Sequence, residues 1–394
     1  MRERAFNGER LRVARLYRGK TVAEIAEALG VQRQTISQYE NKRLNNPGIE
    51  KIYEMSKVLN FPIHFFLEQE IDNVKIAPST YFRSQLTTNK KYRLEQETKI
   101  DFICRIYAYL NEYIEFPSLN LPHFESYSTP EEAALALRNQ WGLGDKPIDN
   151  LIYVAEQNGI ILTSYKTSTN AIDAFSKNLQ IADEERYIIA LSKNKNTAAR
   201  IHFDVAHELG HILLHEWSED IEALSAEEFR ERECEANEFA AAFLLPKEAF
   251  MRDVGVYAAN LKYYELLKKK WKVSIAAMIM RSKNLGLLDY DKYQGLMRKM
   301  QKLGIRKEEP LDDVLMTSSP SILKTAVEMI LNAKVIEARD FMMELSNEYS
   351  VSLYNNDIEE LLDLKKGTLN ITNNNIPILD LVLKNKDNSI DEIK

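Results

Sequence analysis

Two histidines, His207 and His211, stand four residues apart with Glu208 directly after the first, spelling H-E-x-x-H inside RIHFDVAHELGHILLH (200–215). On a helix, residues four apart lie about one turn along the same face, so both imidazoles reach a single metal ion. The intervening glutamate is rotated by roughly 100° from His207, where a carboxylate meets a water on that ion and serves as general base. The pentapeptide is a moderate signal by itself, because a helix with two surface histidines has the same spelling. A catalytic metal site of this type needs a third protein ligand and one open position.

The third ligand is expected from a second helix, SAEEFRERECEANEFAAAFLLP (225–246). Ser225 and Glu228 spell a capping box at its start, and Pro246 sits just past its end. Within it Glu233 and Glu235 point about 200° apart, so only one can face the ion. Glu233 is the choice and Glu235 the fallback. Asn237 shares the face of Glu233, with the small Ala240 and Ala241 permitting close helix packing. From there Asn237 is expected to orient a ligating histidine through its second ring nitrogen. His215 reads as a helix cap or a cleft wall, since the residue six beyond His211 is Trp217 rather than a further histidine. His202 is expected before the helix, with neither role, and Tyr257 is a candidate for stabilising an oxyanion.

The elements that must hold these residues follow from content and spacing. Residues 160–165 (IILTSY), a stretch around Ala174-Phe175-Ser176, and residues 187–192 (YIIALS) are strand-like between turn residues. They predict a small sheet before the H-E-x-x-H helix, with Tyr187–Ser192 as the edge strand that pairs an extended peptide. Thr129-Pro130-Glu131-Glu132 starts a helix that runs to Trp141 and stops at Gly142. Gly142-Leu143-Gly144-Asp145-Lys146 lacks the spacing of a phosphate loop and reads as a helix end.

Charge sets the first 60 residues apart. They hold 12 Lys/Arg against 7 Asp/Glu, net +5, whereas the whole chain is −7, leaving about −12 for the rest. A basic head on an acidic body predicts a polyanionic partner for the head. There Thr21 caps a short helix burying Ile25, Ala26 and Leu29, and Gly30 makes the turn. Val31 and Ile36 anchor the next helix, whose outer face shows Arg33, Gln34, Ser37 and Gln38, residue types that reach base edges in the major groove. Lys42 and Arg43 suit phosphates. His64, among Phe61, Phe65 and Phe66, is expected to be packed or capping.

Residues 8–68 resemble the Xre/Cro-like helix-turn-helix family, which implies that Arg33, Gln34 and Gln38 read a double-stranded DNA operator and that the chain is a homodimer. AHELGHILLH followed by E-x-E-A-N-x-F-A-A-x-x-L-L-P resembles the ImmA/IrrE zinc metallopeptidases of the gluzincin group, from about residue 82 to about residue 310. That resemblance implies Zn2+ on His207, His211 and Glu233, with Glu208 as base. It also implies a protein substrate, a repressor or an antitoxin or the chain itself, cleaved to relieve repression in a stress or mobile-element response. The alternative is a transcription factor that uses the same fold as a sensor or binding module without cleavage.

The remaining segments bound the reading. After Pro78 the chain is expected to run helical, with Phe102, Ile103, Ile106, Leu110, Tyr113 and Ile114 as an apolar stripe. It reads as a linker helix packed on its own peptidase domain, or as a dimer contact. Lys268–Lys270 reads as a solvated face. Beyond residue 311 further short helices follow, with Met329, Phe341, Met342 and Met343 as core or partner groove, and the Asn- and Asp-rich last twenty-odd residues are expected to fray. Two distant cysteines, Cys104 and Cys234, and the lack of a long apolar run predict a cytoplasmic chain with no membrane span and no disulfide framework. The expected fold is mainly α: a helix-turn-helix bundle (1–70), a linker helix (71–125), an α+β metallopeptidase domain with a small sheet (126–310) and a helical extension (311–394).

Overall fold

The structure, a computed structural model, describes all residues except 1–4, 43–46, 69–74, 83–89, 123–126, 171–172, 182–183, 195–196, 218–223 and 371–394. Arg43 and the last twenty-odd residues therefore lie outside the described residues. The head is four helices, α1 (Gly8–Tyr17), α2 (Val22–Ala28), α3 (Arg33–Glu40) and α4 (Ile49–Leu59). Thr21 Oγ1 accepts from the Glu24 amide at 3.1 Å while Glu24 Oε2 accepts from the Thr21 amide at 2.6 Å, closing the box that starts α2. Ile25, Ile36, Ile52, Met55 and Leu59 bury the inner faces. A Cβ on Gly8 would lie 1.8 Å from the Tyr39 carbonyl oxygen, so α1 meets the end of α3 at a distance that only glycine permits. In the 3-10 turn Ile63–Leu67, Phe65 and Phe66 turn inward. His64, expected to be packed or capping, is instead exposed, 3.7 Å from Glu68, because the tight turn points it away from its buried neighbours.

A four-stranded sheet lies at the centre: β1 (Lys75–Phe82), β2 (Ile161–Tyr165), β3 (Ala174–Ile181) and β4 (Glu184–Ser192), in spatial order β1-β3-β4-β2. β3 is antiparallel to both β1 and β4, and β2 is parallel to β4. Tyr187–Ser192 is thus an interior strand, not the expected edge, since both its backbone rims are already paired. The edges are β1 and β2. Where a turn at Pro78 and then a helix were expected, the chain forms β1 first. Its register shifts between Ile76 and Thr80, and an edge strand with such an irregularity tolerates the missing proline amide.

Both faces of the sheet are covered, so every residue of β2 and of β4 from Arg186 on is buried, whichever face it points to. Phe175, Leu179, Ile188 and Ala190 face one core, and Ala174, Tyr187, Ile189 and Leu191 the other. On the first face lies α5 (Lys90–Leu110), whose stripe Phe102, Ile103, Ile106 and Leu110 is buried. It packs on the head, so the stripe finds partners within the chain beyond the peptidase segment. On the second face lie α6 (Pro130–Gln140), α7 (Leu151–Gln157), α8 (Ala198–Leu214), α9 (Ala226–Leu244), α10 (Lys247–Val254), α11 (Leu261–Trp271), α12 (Ile275–Asn284) and α13 (Tyr290–Lys302). The 142–146 loop ends α6 as expected. Its carbonyls at Gly144 and Lys146, with that of Phe243, accept from the buried Arg138. Lys268 corrects the reading of 268–270 as a solvated face. It is fully buried between Glu309 at 2.8 Å and Asp312 at 2.6 Å, while Lys269 and Lys270 are exposed.

Helices α14 (Ile322–Asn332), α15 (Ala338–Tyr349) and α16 (Asn355–Leu361) return to the first face and join the core of the head and α5. Phe341 is buried against Tyr109, but Met329 and Met343 are half-exposed. The Arg18 guanidinium of α1 pairs with both carboxylate oxygens of Asp357 in α16, at 2.6 and 2.8 Å. Head and extension are therefore packed and charge-paired in one layer. Among the described residues no helix is long and apolar enough to cross a membrane.

Candidate metal centre

Thr197 caps α8 by accepting from the Arg200 amide at 3.3 Å, and the helix then runs unbroken through the histidines. His202, expected ahead of the helix, lies inside it. Its Nε2 meets Thr317 Oγ1 at 2.9 Å and accepts from the Leu151 amide at 3.5 Å, so it ties α8 to two neighbouring segments. Burial lowers its pKa to about 4, keeping the ring neutral.

α8 crosses α9 at Gly210. A Cβ there would come within 3.1 Å of Ala236 Cα and of the Phe239 ring, so the helices approach more closely than a larger residue permits. Ala236, together with the expected Ala240, is the buried small residue of this contact, while Ala241 is only partly buried. The close crossing brings Glu233, one turn before Ala236, over the two histidines. His207 Nε2 and His211 Nε2 are 3.1 Å apart. Glu233 Oε1 is 3.1 Å from His211 Nε2, and Glu233 Oε2 is 3.5 Å from His207 Nε2.

These separations test the donor set. Four ligands about 2.0–2.1 Å from a tetrahedral ion stand about 3.3 Å from one another. The three observed distances bracket that value, and the atoms are two imidazole nitrogens and the two oxygens of one carboxylate, each oxygen nearest a different histidine, so the donor set fits zinc. His207 and His211 are fully buried and Glu233 keeps 16% of its side-chain exposure, opening the site on the carboxylate side. Of the described histidines, cysteines and acids, this trio is the group whose ligand atoms cluster within 4.8 Å.

The fallback ligand Glu235 lies elsewhere. Its Oε2 is 3.0 Å from His215 Nε2, and His215 Nδ1 is 3.0 Å from His211 Nδ1. His215 is the C-cap residue of α8, and burial, with His211 beside it, lowers its pKa to about 2. Asn237 does not orient a histidine: its Nδ2 donates to the Glu233 backbone carbonyl at 2.6 Å, one turn back along α9. An amide four residues on reaches that carbonyl more readily than a ring on the facing helix. It braces the backbone of the carboxylate-bearing residue.

Glu208 is fully buried, and its Oε2 accepts from Ser176 Oγ of β3 at 2.5 Å. Nothing in local spacing marks Ser176; strand alternation puts it on the α8 side only once the sheet register is known. Tyr257 packs at a tilt of 36° against Tyr263, ring centroids 4.8 Å apart, with about half its surface exposed. In the head, Arg33 and Gln34 are exposed on α3, and Ser37 and Gln38 are partly exposed on the same side. Lys42, just past α3, pairs with Glu9 at 3.0 Å on the surface.

Fold and site define a helix-turn-helix head joined to a body with a two-histidine, one-carboxylate cluster that could hold a metal ion, behind a small sheet. Residues 155–283 match the family model of the IrrE N-terminal-like domain, a metallopeptidase family, and residues 11–66 match the Helix-turn-helix model. The head is also similar to an uncharacterized HTH-type transcriptional regulator of Sinorhizobium medicae (strain WSM419) and to another of Rhizobium meliloti (strain 1021). Each is 36% identical over 61 residues, 16% of this chain. The chain spans 43% of the length of these curated relatives.

Proposed function

We propose that this chain is a DNA-binding transcriptional regulator whose body is a zinc-dependent endopeptidase acting on a repressor or antitoxin, or on itself. The observation that carries the reading is the cluster of His207 Nε2 and His211 Nε2, 3.1 Å apart, with the Glu233 carboxylate across both, Oε1 3.1 Å from His211 and Oε2 3.5 Å from His207, and with Glu208 on the same helix as the histidines. His207, His211 and Glu233 hold the ion. A zinc ion held there would acidify a water and polarise the scissile carbonyl. Glu208 takes the proton of the attacking water and passes it to the leaving amine. Ser176, donating to Glu208 Oε2, holds that carboxylate in one orientation. In the head, Arg33, Gln34, Ser37 and Gln38 read an operator, Lys42 and Arg43 contact phosphates, and the chain acts as a dimer in the cytoplasm.

Extended peptides are recognised by addition to a sheet edge. The β3 edge beside Glu208 carries the chain's own β1, with Tyr81 opposite Ser176 in the register. This makes residues 75–82, between head and body, the first peptide to examine for cleavage. The same occupancy favours a second reading, in which the body senses or binds without cutting. Co-expression of the wild type and Glu208→Gln with repressors encoded beside the gene separates the two. The peptidase reading expects the variant to retain zinc and lose all cleavage products. Equal regulation by both chains, with no fragment of partner or self, sinks it.

A further inference from the structure

One ring and one carboxylate, His215 and Glu235, line up behind the metal-facing His211, and an ion on His211 Nε2 sets their proton positions. His211 presents Nε2 to His207 Nε2 and Glu233, each at 3.1 Å, so Nε2 is its metal-facing atom. A neutral imidazole that offers one nitrogen's lone pair to a metal carries its proton on the other nitrogen. His211 Nδ1 therefore donates, and the atom 3.0 Å away is His215 Nδ1. To accept there, neutral His215 must carry its own proton on Nε2. That nitrogen is 3.0 Å from Glu235 Oε2, and an ionised carboxylate only accepts. With both rings neutral, one tautomer of each satisfies all three contacts, and it is the one that leaves His211 Nε2 open to an ion.

We propose that His215 and Glu235 are positioning residues that fix the metal-binding tautomer and ring orientation of His211 through this hydrogen-bond chain. The inference rests on the metal-centre reading above and deepens it. It assigns to the two residues set aside as ligands a role that neither has by touching the ion. His215 is buried and carried by the last turn of the ligand helix, whereas Glu235 is 44% exposed on α9. The chain therefore runs from the buried site to the surface, and its outer end can be changed without opening the core.

The test measures zinc affinity by chelator competition in the full chain, together with the Co2+ absorption spectrum and the 15N tautomer signature of His211. Ligand support of this kind is worth about 10–100-fold in metal affinity. Glu235→Ala is expected to weaken zinc binding by at least tenfold, shift the cobalt bands and mix the His211 tautomers. Glu235→Gln, which keeps an acceptor oxygen, is expected to restore part of the loss. Glu238→Ala, an exposed acid on the same helix, is expected to match the wild type. His215→Ala is expected to exceed Glu235→Ala in effect. Wild-type affinity, spectrum and tautomer in Glu235→Ala overturn the relay while leaving the metal centre standing. A wild-type chain that takes up no zinc, like His207→Ala, overturns the metal centre and the relay with it.

Discussion

Gly210→Ala changes one hydrogen to a methyl within the H-E-x-x-H helix, yet it acts on Glu233, the proposed third ligand, in another helix. The added Cβ would lie 3.1 Å from Ala236 Cα and Phe239 Cδ1 and 3.2 Å from the Ala236 carbonyl oxygen. Carbon atoms rest at about 3.5–4.0 Å, so α9 must retreat by roughly 0.4 Å or more. Metal–ligand distances tolerate about ±0.2 Å. Because Glu233 lies three residues before Ala236, the retreat carries its carboxylate away from two histidines it now meets at 3.1 and 3.5 Å. Stability moves less. Overpacking costs about 1–3 kcal/mol, and replacing a mid-helix glycine returns about 1 kcal/mol. The expected outcome is a loss of zinc affinity of about tenfold or more by chelator competition, with a modest fall in Tm of the metal-free chain. Zinc affinity within twofold of the wild type would refute the argument that the helix crossing sets the ligand geometry.

Two further outcomes are expected. His202 titrates near 4 in the fold because it is buried, against about 6.5 in an unfolded chain. As pH falls from about 6.5 toward 4 the unfolded chain takes up a proton that the folded one refuses, so stability is lost over that window, by at most about 3 kcal/mol. Thermal unfolding of wild type and His202→Gln from pH 4 to 7 should show the variant with the flatter profile; parallel profiles contradict it. Arg33→Ala should weaken binding to an operator selected from random DNA by about 1–3 kcal/mol and leave non-specific binding near wild type. An unchanged operator affinity removes Arg33 from the base-reading face.

Much of this chain is legible from local order. The cap at Thr21, the start of α6 at Thr129, the strand-like content of β4 and the i, i+4 histidines each depend on residues within one or two turns, and residue content, periodicity and capping chemistry report on that range. That only one of Glu233 and Glu235 faces the two histidines was also within reach, because residues two apart on a helix point to different sides. What Glu235 does instead was not, since His215 comes to it from α8. Asn237 lay on the right face but bonded back along its own helix. Lys268 looked solvated because its partners, Glu309 and Asp312, stand 41 and 44 residues away.

By itself the sequence determined where the helices begin, which faces are apolar and which residue types share one turn, since these are short-range properties of the backbone. The tertiary structure alone decided that β4 is interior, that Ser176 meets Glu208, that Gly210 admits α9, and that the extension joins the head in one layer. Those facts rest on which distant surfaces pack together. That choice belongs to the whole core, through the apolar area it buries and the polar groups it must pair.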